Sequence, residues 1–265
     1  MTTLAAALPT PRLVSADLLK LRKRRGLAVV TGVLTVGGVI VMFAIMELLH
    51  LANAAKYGPA GGVQNLGHAA MLVSALGSVA AAIVGTMAGS GDLDAGVYRD
   101  LVVTGRSRVA LYASRIPAGL TYLLPFVAAG YALAAVATVG FAGSLSAPST
   151  YLLAVTGLWA ILQVTFYYLL ALGLSSLLGR SYTIGTVLAW RLALTPILAS
   201  ITVLGVVREL VPGVALERLA PAALGEAVRQ GPLIGMSTAA VAAVLVVWTA
   251  VALGVGAWRD ATRDA

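Results

Sequence analysis

Few residues of this sequence are of types that carry out chemistry. The chain has no cysteine and only two histidines, His50 and His68. Thiol catalysis and zinc–thiolate sites are therefore excluded, and haem or zinc ligation inside the apolar segments is not expected. Ser175 and Ser176 could form a nucleophile, but no histidine lies at their depth, so hydrogen bonding between helices is favoured. We expect no catalytic residue and no metal site.

ATP chemistry is also not expected in this chain. The cluster Gly89-Ser90-Gly91 lacks the lysine that follows the last glycine of a phosphate-binding loop. No cluster of Asp, Glu or His is expected at one depth of the apolar segments, as a lipid-modifying enzyme would need. The chain is therefore predicted not to be an enzyme and to bind no cofactor.

Arg191 is the most unusual residue, because it lies within an apolar segment. A charge at that depth is costly, so it should face a cavity, a partner or the interface. Pro196 frees the carbonyl of Leu192 and could open a polar pocket there. Two interpretations stay open. Arg191, with Pro196 and Gln163, lines a path for an anionic or zwitterionic substrate, or Arg191 is a structural arginine that bonds freed carbonyls.

Six apolar segments must position these residues. The chain is 60% hydrophobic and 11% charged, whereas soluble domains are about 45–50% apolar and about 25% charged. Each segment has the roughly 20 residues needed to cross a bilayer. We predict an all-α integral membrane protein. Its spans are Leu27–Leu49, Leu66–Ala88, Pro117–Gly143, Tyr151–Gly179, Thr183–Val207 and Leu233–Ala257.

The positive residues predict the orientation of these spans. The N-terminal flank, the second and fourth connections and the tail carry 13 Lys and Arg, whereas the other connections carry four. Positive residues mark the cytoplasmic side. Both termini are therefore predicted to be cytoplasmic. The net charge of +8 is explained in this way, and no nucleic-acid partner is expected.

Three segments outside the spans are informative, and all belong to one transmembrane domain covering residues 1–265. Residues 12–25 are predicted to form an amphipathic helix. Its apolar face includes Leu18 and Leu21, and its polar face includes Asp17, Lys20 and Arg24. Such a helix suits the membrane surface. Residues 89–116 form a long cytoplasmic connection. Residues 208–232 contain three prolines and predict short helices, in the outer connection, that dip back toward the membrane.

The order of these parts resembles the membrane subunit of a type-2 ATP-binding-cassette exporter over nearly the whole chain. The most specific stretch is Asp92–Arg115, where the family often has an acidic residue, a glycine, a leucine, a Pro-x-Ser-Arg turn, an aromatic and a basic residue. This sequence departs from the pattern with Asp94 for glutamate and Gly105 for proline. The matching positions here are Asp94, Gly96, Leu101, Ser107, Arg108, Tyr112 and Arg115.

The resemblance implies that this connection carries the helix that docks on a separate ATPase, where ATP and magnesium would bind. An apolar face of Val97, Leu101 and Val102 with a polar rim suits a groove on such a partner, although a solvated loop with topogenic arginines is the alternative. The residues assigned to coupling are Asp94, Gly96, Val97, Arg99, Leu101 and Arg108.

The expected function is therefore a permease subunit in the bacterial cytoplasmic membrane. It would pair with an ATPase and a second permease copy, identical or different, and would export an amphipathic substrate such as a drug, lipid or peptide-like molecule. The alternatives are a membrane-embedded lipid-modifying enzyme and a non-transporting scaffold or immunity protein.

Overall fold

The computed structural model describes residues 9–97, 101, 103, 105, 107–227 and 235–262. Six helices in this part of the chain are long and apolar enough to span a membrane, which supports a multi-pass membrane protein. A short helix, α1 (Pro11–Lys23), precedes them. The others follow in chain order as α2 (Arg25–Ala52), α3 (Val63–Asp94), α4 (Arg108–Gly140), α5 (Thr150–Leu178), α6 (Arg180–Ser200), α7 (Pro212–Arg218) and α8 (Thr238–Thr262).

Each predicted span is matched by a helix, but the boundaries differ. Helix α3 has 32 residues and α4 has 33, so each is about 50 Å long against about 30 Å of hydrocarbon. The hydropathy pattern marks only the lipid-embedded part of such helices. The fifth predicted span is too long at its end, because the chain leaves the helix at Ile201, which adopts φ −81° and ψ 93°.

Helices α3 and α5 form the centre of the bundle. In the most apolar part of each, 61% of the residues are buried, against 22% in α2, 28% in α6 and 22% in α8. Tyr167 and Tyr168 of α5 and Leu66 of α3 are among the largest fully buried side chains. The three outer helices therefore present most of their apolar surface to lipid or to another subunit.

Two glycines of α3 allow it to lie close to α5. A Cβ at Gly85 would lie 2.6 Å from the carbonyl oxygen of Tyr168, and one at Gly89 would overlap the hydroxyl of Ser175. Small residues at this spacing permit close backbone approach between membrane helices. The Gly85-x-x-x-Gly89 pattern thus contributes to packing at the centre of the bundle.

The connection between α6 and α8 folds back onto the bundle. It contains 3-10 helices at Thr202–Leu210 and Ala222–Ala227 on either side of α7. Helix α7 is buried from Pro212 to Leu216. The indole nitrogen of Trp159 donates a hydrogen bond to the carbonyl of Leu216 at 2.8 Å. Protein therefore covers α7, whereas the 3-10 helix Thr202–Leu210 has no buried residue.

The two ends of the bundle differ. At one end, which we call the α1 end, α1 meets the end of α3 and the start of α4, and the start of α4 is in turn paired with the end of α8. The opposite end is closed by loops, in which Gly61 and Gly62 donate backbone hydrogen bonds to the carbonyls of Phe141 and Thr138.

Candidate functional site: a buried arginine and an ion-pair cluster

The backbone around Arg191 is a π-helical segment, Trp190–Leu194, directly before Pro196. Proline has no backbone N–H to donate to the preceding turn. The extra residue of a π turn changes the hydrogen-bond pattern there, so that the helix continues past the proline. The carbonyl of Trp190 accepts a hydrogen bond from the backbone N–H of Thr195. It also accepts one from the Thr195 hydroxyl, at 2.8 Å. The predicted disturbance at Pro196 is thus present as a π segment, and Arg191 lies within it.

The side chain of Arg191 is buried, with only 3% of its surface exposed. Its Nη2 donates to Oε1 of Gln163 at 3.4 Å, and its guanidinium carbon lies 5.6 Å from the centre of the Tyr167 ring, a cation–π distance. Arg191 follows the first residue of α6 by 11 positions, which is about 16 Å along the helix. The structure therefore brings two of the predicted pathway residues, Arg191 and Gln163, together near the middle of the bundle.

This buried cluster, which we call the Arg191 cluster (Arg191, Gln163 and Tyr167), has more donors than acceptors. Arg191 Nε and Gln163 Nε2 are buried and make no hydrogen bond with any described residue, whereas the buried Tyr167 hydroxyl lies next to the Thr195 hydroxyl. Unsatisfied buried donors cost roughly 1–3 kcal/mol each. A cluster of this kind therefore favours a bound water or an oxygen-bearing group as an acceptor.

Glu217 is a carboxylate near this cluster, and the sequence analysis did not predict its position there. It lies at the end of α7 and acts electrostatically on the Tyr167 hydroxyl, as Arg191 does. The apolar runs place no carboxylate at the depth of Arg191, and Glu217 reaches it only because the connection folds back. In the sequence, only the three prolines of that connection indicate that it folds back toward the spans.

A second polar cluster lies at the α1 end and is centred on Arg115. This side chain is 2% exposed and pairs with Asp260 at 2.9 Å and with Asp92 at 3.5 Å. It also donates to the carbonyl of Gly89 at 2.9 Å. In the sequence, Arg115 counts among the positive residues of the second connection and matches the basic residue of the family pattern. The structure adds that carboxylates from two other helices and a backbone carbonyl hold its guanidinium in the interior.

Helix α1 is joined to the same cluster, which we call the ion-pair cluster (Asp17, Lys20, Asp92, Arg115 and Asp260). Lys20 pairs with Asp17 and Asp92, both at 3.0 Å. The hydroxyl of Ser114 donates to Asp17 at 2.6 Å. The predicted helix at residues 12–25 is thus present, and two residues of its predicted polar face bond to α3 and α4.

The ionisation of Lys20 reflects this environment. Burial lowers the pKa of its ammonium group, but Asp17 and Asp92 together outweigh burial, so the pKa of Lys20 is raised above its ordinary value of 10.5. An opposite charge within a few ångströms favours the charged form. Lys20 is therefore a cation that holds two carboxylates together at neutral pH.

Three carboxylates, Asp17, Asp92 and Asp260, consequently meet at one end of the bundle. The sequence does not predict this group of carboxylates, because the three residues are far apart in the chain. Each one accepts from a cation or a hydroxyl. No group of described residues could hold a metal ion.

The residues assigned to coupling lie in the connection between α3 and α4. Asp94 accepts a hydrogen bond from Ser90 at 3.0 Å, and Gly96 turns the chain with φ +71°. Val97 is 41% exposed, whereas Leu101 is half-buried. Arg108 donates to the carbonyl of Ala261 in α8 at 3.2 Å. The remaining assigned residue, Arg99, lies outside the described residues, as do Val102 and Arg106.

One apolar residue of this connection was not singled out from the sequence. Val103 has 78% of its surface exposed. With Val97, it is the second exposed valine among the described residues of this connection.

Comparisons with known proteins do not assign the chain to a family. No model of a known protein family matches it, and no curated protein matches its sequence. The resemblance to type-2 exporters therefore rests on the residues and elements described above.

Proposed function

We propose that this chain is the permease subunit of an ATP-driven exporter in the cytoplasmic membrane. Two membrane subunits, identical or different, would pair with two ATP-binding-cassette ATPase subunits that bind ATP and magnesium. The substrate would be amphipathic, such as a drug, lipid or peptide-like molecule. The observation that carries the proposal is the connection between α3 and α4, which offers exposed valines beyond the ion-pair cluster.

The position of this connection supports a docking role. Charged groups favour the membrane surface and the water beyond it. The ion-pair cluster and the four cations at residues 22–25 gather at the α1 end, so we place one boundary of the lipid there. Helix α4 begins at Arg108, about 10 Å before Arg115. Val97 and Val103 therefore lie outside the lipid, where an apolar surface suits a groove on a soluble partner.

In this proposal, the α1 end faces the cytoplasm. The positive residues favour that orientation, and the α1 segment between residues 11 and 25 carries six cations and one carboxylate. An ATPase in the cytoplasm would then meet the connection between α3 and α4. The loops at the opposite end would face outward.

The ion-pair cluster provides a mechanical link for coupling. A displacement of the connection moves the end of α3 and the start of α4, and Asp92 and Arg115 transmit it to α1 and to Asp260 of α8. Rigid helices joined by ion pairs move together more readily than helices that contact only through lipid. ATP binding would in this way tilt α8 and α1 with the connection.

The Arg191 cluster is proposed to bind the polar part of the substrate. Buried donors without acceptors suit a phosphate or carboxylate oxygen, and Arg191 supplies the positive charge. The peripheral helices supply apolar surface for the rest of an amphipathic molecule.

A lipid-modifying enzyme is the second candidate function, because three carboxylates meet at the α1 end. Their pairing with Lys20, Arg115 and Ser114 favours a structural role. A general acid or base needs a carboxyl group within reach of substrate, and the carboxyl group of Asp260 is almost completely buried.

The experiment that tests the permease function measures ATP hydrolysis in reconstituted vesicles that contain this chain and the proposed partner, an ATP-binding-cassette ATPase. We expect that Val97→Asp combined with Leu101→Asp leaves the protein inserted but lowers the ATPase activity bound to it by at least tenfold, because charged residues disfavour an apolar groove. Val203→Asp is the control, since Val203 is 94% exposed outside this connection. Equal ATPase recovery with both variants would contradict docking at the connection.

A further inference from the structure

A groove on the outside of the bundle lies between α1, α2 and α4. It has a volume of about 360 Å³ and is lined by Leu18 and Arg22 of α1, Ala28 of α2, and Thr121, Tyr122, Pro125 and Phe126 of α4. The rings of Tyr122 and Phe126 are 5.6 Å apart. The groove is therefore apolar along one side and carries a cation at its rim.

The cation at the rim is available to a ligand. Arg22 is exposed and forms no ion pair among the residues that the structure describes, unlike Lys20 on the same helix. The surrounding segment, residues 11–25, carries six cations and one carboxylate. Charge complementarity thus favours an anionic group at Arg22, worth about 1 kcal/mol per cation at a membrane surface.

Tyr122 supplies an aromatic wall to the groove. Its ring packs beside that of Phe126, and the residue is 5% exposed. Its hydroxyl is buried next to the Thr31 hydroxyl of α2. The ring of Tyr122 therefore offers surface to a ligand, whereas its hydroxyl does not.

The depths of these groups match the parts of a phospholipid. Tyr122 lies 14 residues into α4, and Phe126 lies one turn further, about 6 Å deeper. Arg22 belongs to α1, which precedes the first span. A molecule with an anionic head at Arg22, an ester near Tyr122 and a chain along Pro125 and Phe126 would fill the groove.

We propose that this groove binds one anionic phospholipid, with its phosphate at Arg22 and an acyl chain against Pro125 and Phe126. The site depends only on membrane insertion, so it stands apart from the proposed transport function. It differs from ordinary boundary lipid because the head group is selected. The bound lipid would hold α1 against α4 on the side of these helices that faces the membrane. The ion-pair cluster holds the same two helices together on their opposite side.

The test compares retained lipids by native mass spectrometry of the full chain, released from vesicles with equal phosphatidylglycerol and phosphatidylcholine of the same chain length. Wild type should retain one phosphatidylglycerol with about fivefold preference. Arg22→Ala should abolish the preference, whereas Arg12→Ala, which removes a charge from the same helix, should keep it. An equal loss with both variants would reveal a general effect of surface charge and contradict the site.

Two further variants test the other parts of the groove. Ala28→Trp should fill it and lower retention of both lipids at least fivefold, while the thermal unfolding midpoint shows that the bundle is intact. Tyr122→Phe keeps the ring that lines the groove and should leave retention of both lipids unchanged. A wild-type protein without head-group preference, or full retention in Ala28→Trp, would overturn the proposal.

Discussion

At the scale of single residues, two cations differ in how the fold stabilises them. Arg191 lies near the middle of a span with a glutamine and an aromatic ring, whereas Arg115 is paired with two carboxylates. The first arrangement leaves donors open and the second neutralises its charge. This contrast is why we assign substrate contact to Arg191 and a linking role to Arg115.

Replacement of Arg191 separates its two interpretations. In vesicles with the partner ATPase and lysophosphatidylglycerol as an anionic amphiphile, we expect Arg191→Leu to retain basal ATP hydrolysis but lose stimulation at least tenfold. Arg191→Lys should keep part of the stimulation, because it retains the charge but not the planar fork of donors. Equal stimulation in wild type and Arg191→Leu would leave Arg191 a structural role only.

The pH dependence of stability should report on Lys20. Its folded-state pKa is raised above 10.5, so its contribution is complete below the unfolded-state pKa and is lost as the pH rises through the folded-state value. We expect the difference in thermal midpoint between wild type and Lys20→Met to be constant from pH 7 to about 10 and to decline as the pH rises further through the folded-state pKa. A difference that declines between pH 6 and 9 would assign the effect to another group.

At the scale of elements, the ion-pair cluster should couple α4 to α8. Arg115→Leu removes the cation that pairs with Asp260 at 2.9 Å, which should lower the unfolding free energy by about 3 kcal/mol. Arg12→Leu, an exposed control on α1, should change it little. The double variant Arg115→Leu with Asp260→Leu should recover part of the loss, as measured by a double-mutant cycle of thermal unfolding in detergent.

Additive effects of these two substitutions would contradict direct coupling. The prediction concerns stability, so it is independent of any partner ATPase. It applies to the protein alone in detergent.

The elements were predictable from the sequence to different degrees. The existence of six spans follows from hydropathy, because lipid requires long apolar helices. The ends of α3 and α4 do not follow, since both helices continue past the lipid with residues that hydropathy reads as a loop. The end of α6 at Ser200 was missed because Ile201 to Val207 is as apolar as the span that precedes it.

The polar clusters were harder to predict than the spans. Lys20 and Asp92 are 72 positions apart, and Arg115 and Asp260 are 145 positions apart. No local sequence pattern predicts contacts over such separations. Lys20 and Arg115 count in the sequence only as positive residues that indicate orientation, and the structure shows that both are ion-paired between helices. The meeting of Arg191 with Gln163 could be proposed because both are polar residues within apolar segments, which restricts their partners.

At the scale of the whole molecule, the central α3 and α5 are surrounded by helices with largely exposed apolar faces. The two ends carry different chemistry, with ion pairs and a projecting connection at one end and folded loops at the other. Such polarity suits a membrane subunit that receives a soluble partner at one end only. The central claim is therefore that this partner is an ATPase and that it contacts the connection between α3 and α4.

Site-specific photo-crosslinking in intact cells tests that claim most directly. A benzophenone side chain is placed at Val103, or at Val203 as a matched exposed control, and crosslinked proteins are identified by mass spectrometry. The account predicts that Val103 yields a phosphate-loop ATPase and that Val203 does not. Crosslinking of an ATPase from Val203 alone, or no ATPase from Val103 while the protein is fully inserted, would contradict it.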